Sequence, residues 1–153
     1  MIVSSEEPLD EMVDSLDLVH HSPWSWNTRA GINVPLMELV YHDAVLIPSF
    51  LGKGASSGKE DEYGILHALL QGNLPYLSID ASEEEIERIS VVRALHAEVW
   101  NSELIHHGFI DSDPKRRISR FACGVTVEAD LRENSYRITH RDGTVTSGKI
   151  EPF

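Results

Sequence analysis

One cysteine in 153 residues cannot close an internal disulfide, so Cys123 leaves this fold to packing and hydrogen bonds. No stretch approaches the roughly 18 consecutive apolar residues of a membrane-spanning helix. The first residues, "MIVSSEEPLDEM", lack the basic-then-apolar order of a signal peptide, and if Met1 is a genuine start the chain is expected in the cytoplasm. Cationic side chains are scarce as well. Thirteen Lys and Arg face twenty-five Asp and Glu, a formal charge of −12 that argues against nucleic acid and against anionic membranes as partners. There is no P-loop, G-x-S-x-G or G-x-G-x-x-G, since "GKGASSGK" at 52–59 lacks the spacing of a phosphate loop. No cofactor is expected.

What is present suits a packed domain: 41% hydrophobic residues and 25% charged ones. "MIVS" reads as a short strand, and Leu9, Met12, Val13 and Leu16 share one face of a short helix. Residues 34–47, "VPLMELVYHDAVLI", are almost continuously apolar, which predicts a strand buried on both faces in a parallel sheet. Ile65, Leu66, Leu69 and Leu70 predict a helix closed by Gly72 and Asn73. Ser82-x-x-Glu85 is a capping box, opening a long helix whose stripe of Ile86, Ile89, Val92, Leu95, Val99 and Leu104 runs to Gly108. Beyond "DSDPKRR" the period falls to two, with Asp142-Gly143 as a hairpin turn. The reading is α/β over residues 1–112 followed by antiparallel β strands over 113–153, the boundary falling at the composition shift near 111–116.

Ligands in parallel α/β folds meet the carboxyl ends of strands. Tyr41, His42 and Asp43 stand where a strand begun near residue 34 would end, so they are candidates for the rim of a pocket; a satisfied core hydrogen bond is the competing explanation. Glu6 and Glu7 follow "MIVSS" in the same way, though acidic groups there also suit a helix N-terminus. Trp24 and Trp26, in the irregular stretch "HHSPWSWNTRAG", can stack on sugar rings or anchor a loop, whereas Trp100 falls near the long helix's stripe and is expected in the core. Adjacent histidines, His20-His21 and His106-His107, point apart on regular elements and do not predict a metal site. Cys123 reads as a small turn residue.

In order, "SSEEPLDEMVDSLD", "VPLMELVYHDAV", "LLQGNLPYL", "HHGFIDSDP" and "RISRFACGVTVEADL" resemble the C-terminal stretch of (β/α)8-barrel glycoside hydrolases related to endo-α-N-acetylgalactosaminidases, across residues 2–150. The resemblance implies a partial (β/α)8 barrel, its last strands and helices, leading into the first strands of a β-domain. It implies that Glu6, Glu7, Tyr41, His42 and Asp43 help form a sugar pocket, with carbohydrate as the ligand. Catalytic carboxylates of such enzymes sit on earlier strands, so no catalytic residue transfers to this chain. Cys123 stands where that group usually has aspartate. Two strands of a barrel leave open edges, so the piece is expected to be inactive alone and to meet either the remaining barrel or a second copy of itself. A non-enzymatic module that binds carbohydrate or protein through its acidic surface and tryptophans is the rival reading.

Overall fold

The computed structural model describes residues 2–5, 10–20, 34–52 and 61–151. Four short strands, β1 (Ser4–Ser5), β2 (Leu18–Val19), β3 (Pro48–Phe50) and β4 (Leu74–Tyr76), run parallel in chain order. β1 pairs with β2, and β3 with β4; the central join is the Leu18–Leu46 bridge, with Val19 N–H donating to the Leu46 carbonyl at 2.9 Å and Leu46 N–H to Asp17 at 3.0 Å. A 3-10 helix (Asp10–Ser15) links β1 to β2, α1 (Leu36–Tyr41) precedes β3, and α2 (Asp61–Gln71) carries the chain from β3 to β4. α3 (Glu83–Arg88) and α4 (Ser90–Val99) follow. The chain then folds as a five-stranded antiparallel meander: β5 (Leu104–Ile110), β6 (Asp113–Phe121), β7 (Thr126–Asp130), β8 (Ser135–Thr139) and β9 (Val145–Lys149).

The strand expected over 34–47 is instead a helix and a turn ahead of a shorter strand. Leu, Met and Glu are good helix formers, and the buried positions of α1 obey the helical period: Glu38 and His42 are fully buried, Met37 and Tyr41 half-buried, and Leu36, Val40 and Asp43 exposed. Because the inward stripe holds a carboxylate and an imidazole, the run mimics an apolar strand. The long helix is also shorter than its stripe suggested. It breaks at the buried Ile89 and ends at Val99, so Leu104 belongs to β5, Ile86 is exposed, and Trp100 is half exposed rather than core. The capping box forms: Ser82 N–H donates to the Glu85 carboxylate at 2.9 Å, and Glu85 N–H donates to the Ser82 hydroxyl.

Helices α1, α2 and α4 lie between the parallel strands and the antiparallel sheet. The larger core joins Ile65, Leu66, Leu69 and Leu70 of α2 and Val92, Leu95 and Val99 of α4 to Phe121, Val127, Ala129 and Ile138 of the meander. A smaller core of Val13, Leu16, Val19, Val45 and Ile47 sits under β1–β3. No helix among the described residues is long and apolar enough to cross a membrane.

Glu98 ties α4 to the β8–β9 hairpin: it accepts from His140 Nδ1 at 2.7 Å and from Arg141 N–H at 3.1 Å, and His140 Nε2 lies 2.9 Å from the Thr146 hydroxyl. Burial alone would raise the Glu98 carboxyl, but those hydrogen bonds and the neighbouring positive charges hold it below its ordinary value of 4.5. A depressed carboxyl contributes stability above its unfolded value and loses it as pH falls through the folded one. Glu98→Gln is therefore expected to lower the urea midpoint at pH 7, and the gap from the parent should narrow below about pH 4.5.

Candidate functional site

The carboxyl ends of the parallel strands gather three rings. Tyr76, the last residue of β4, is 41% exposed and lies 5.2 Å from Phe50, the last residue of β3, with the rings tilted by 36°. His20, just past β2, meets Tyr76 edge-on at 6.1 Å and 84°. The backbone enforces this grouping: Leu51 N–H donates to the Tyr76 carbonyl at 3.1 Å, so the two strands end in step. After Tyr76 the chain turns outward through Ser78, whose hydroxyl donates to Asp80, and the wholly exposed Ile79. Exposed ring faces suit apolar C–H surfaces, while imidazole, phenol and carboxylate suit hydroxyl groups. These are the requirements of a carbohydrate surface.

Tyr41, His42 and Asp43 lie elsewhere, at the amino-terminal entry to β3. The premise that placed them at a strand's end fails with the strand itself. His42 is 5% exposed; its Nδ1 donates to the Ser102 carbonyl at 2.7 Å, its Nε2 lies 3.3 Å from the Gly72 carbonyl, and its ring packs 5.2 Å from Phe121. The Gly72 carbonyl also accepts from His96 Nδ1 at 2.9 Å. Burial lowers the His96 imidazole, the Gly72 bond opposes that, and His42 adds to the lowering. Asp43 is exposed at the turn, and Tyr41 is half-buried beside the smaller core. Glu6, Glu7, Trp24 and Trp26 lie outside the described residues.

Below the parallel strands, the side-chain amide of Asn73 donates toward Glu38 at 3.3 Å, Ser49 at 3.1 Å and Gln71 at 3.1 Å, three acceptors for two protons. This buried cluster joins α1, α2 and β3 at the start of β4. Among the described residues no group of three His, Cys, Asp or Glu is placed to hold a metal ion.

Sequence reasoning missed His20, Phe50 and Tyr76. The signal was available in "VLIPSFLG", where β-branched residues lead to an aromatic and then to Gly52, and in "NLPYL"; strand length measured from Val34 put the expected strand end at Tyr41–Asp43, seven to nine residues before the end of β3 at Phe50.

Among solved structures, the chain is similar to the alpha-N-acetylgalactosaminidase NagBb from Bifidobacterium bifidum. Against the ligand-free form it is 38% identical with a TM-score of 0.76, over 90% of this chain and 23% of that one. Against the GalNAc complex the values are 35% and 0.74, over 90% and 24%. Against the Gal-NHAc-DNJ complex they are 33% and 0.74, over 90% and 25%. The chain thus spans about a quarter of the length of those proteins and is related to one part of a glycoside hydrolase. No protein-family model and no curated protein matches it.

Proposed function

We propose that this chain forms part of a (β/α)8-type glycoside hydrolase barrel and supplies one wall of its sugar pocket, with the β5–β9 meander bracing the barrel from behind. The observation that carries the reading is the His20, Phe50 and Tyr76 cluster at the carboxyl ends of parallel strands. Strands paired in chain order with intervening helices are the repeating unit of such barrels, and the similar solved structures include one with GalNAc bound. GalNAc is therefore the sugar of choice for testing. Hydrolysis would need a carboxylate pair, which this reading assigns to polypeptide pairing along the free edge of β1 or β4.

Titration of the chain with GalNAc, followed by the ring resonances of Tyr76 and His20, is expected to show saturable binding. Tyr76→Ala should weaken it about tenfold, the equivalent of about 1.4 kcal/mol for loss of an aromatic contact. Asp43→Ala should leave it unchanged. Equal affinity in the parent and Tyr76→Ala would overturn the assignment.

A further inference from the structure

A second cleft lies between α2 and the antiparallel sheet, lined by Pro35, His67, Leu70, Gln71, His107 and Arg117. No carboxylate is among these lining residues, in a chain whose formal charge is −12. Arg117 is half-buried, and among the described residues its one hydrogen bond runs from Nε to the Pro114 carbonyl at 3.1 Å. No carboxylate faces it there, although Arg116, Arg132 and Arg141 each sit against one. The terminal amino groups of the guanidinium are thus left without an acceptor among the described residues while half out of water. A charge so placed is costly unless something of opposite sign meets it.

His107 repeats the pattern on the neighbouring strand. Its Nδ1 is engaged with the Ser119 hydroxyl at 2.9 Å, whereas its Nε2 is buried without a hydrogen-bond partner. Burial, then the charge of Arg117, then His106, push its imidazole down to about 4. His67, on α2, is pushed down to about 4 by burial and by Arg117, His107 and Lys115. Among the described residues Arg117 lowers both rings, in a chain whose formal charge is −12.

We propose that the cleft between α2 and β5–β6 binds a small oxyanion, a carboxylate or a phosphate, held by the Arg117 fork at its mouth with His107 Nε2 donating from its floor. Planar guanidinium matches either group with two parallel hydrogen bonds. The anion would favour protonation of His107, so that a ring that is neutral in the empty cleft becomes a donor in the filled one. Because His107 Nε2 is buried and Arg117 half-exposed, an oxygen of the ligand would face the ring while the remainder lies toward the guanidinium and solvent.

Inorganic phosphate and acetate, titrated separately into the whole chain at pH 6 and constant ionic strength, test this, with sodium chloride as the control. The expected result is a saturable shift of the His107 ring resonance with at least one of the two anions, a rise of its pKa from about 4 toward 6.5, and loss of both effects in Arg117→Met. Response to phosphate alone or to acetate alone identifies the ligand's head group. In His107→Gln, read through the His67 ring, binding should weaken while Arg117 still holds the anion. Shifts that follow chloride, or a saturable response surviving in Arg117→Met, would overturn the proposal; should Arg117→Met not fold, an unchanged response in His107→Gln would do the same.

Discussion

Replacing Gly72 by valine is expected to cost about 4 kcal/mol, from left-handed backbone strain together with overpacking. Gly72 adopts φ of 70°, and a Cβ there would stand 2.6 Å from His42 Nε2 and 2.9 Å from two ring carbons of Phe121. Neither ring can retreat. His42 is fixed by the Ser102 carbonyl and Phe121 is 1% exposed. Gly124→Ala separates the two contributions: its φ is 97°, but a Cβ would meet nothing within 4 Å. It should cost only about 1 kcal/mol, the backbone share alone. Urea midpoints followed by circular dichroism give both values, and equal losses would show that the crowding around Gly72 is not real.

His42→Ala is expected to destabilise by about 3 kcal/mol, lowering the melting temperature by roughly 6–12 °C in a chain of this size. The substitution empties a ring-sized volume against Phe121 and strips the Ser102 carbonyl of its donor. Asp43→Ala, one residue away, should change stability by no more than about 0.5 kcal/mol, because its exposed side chain makes no hydrogen bond or ion pair among the described residues. The contrast distinguishes a structural histidine from a pair acting together: comparable effects from both substitutions would mean that Asp43 has a role the fold does not account for.

These neighbouring residues also show where the sequence was legible. Elements announced by local chemistry were readable: the Ser82–Glu85 box, the left-handed Gly72 after α2, the Asp142–Gly143 hairpin and the alternation of the last strands all depend on groups a few residues apart. The glycoside hydrolase relation was readable from short motifs, and similarity to NagBb supports it at that level. α1 was not readable, because its inward face is defined by Glu38 and His42, and what makes those two tolerable inside is Asn73, 35 residues on, and Ser102, 60 residues on. The same error moved the expected end of the strand. The position of a strand's carboxyl end decides which side chains can face a ligand, and the end of β3 at Phe50 follows from its pairing with Tyr76, which no local pattern encodes.

The helices sandwiched between two sheets give the antiparallel meander a reach beyond its own borders. α2 packs against β6 and β7 of the meander, while the end of the same helix leads through Gly72 and Asn73 directly into β4. Close-packed interiors are stiff, so a nudge on one side is passed on rather than absorbed. Tyr76 is therefore aimed from the far side of the molecule, and the meander works as a rear sight whose alignment determines where the ring cluster points.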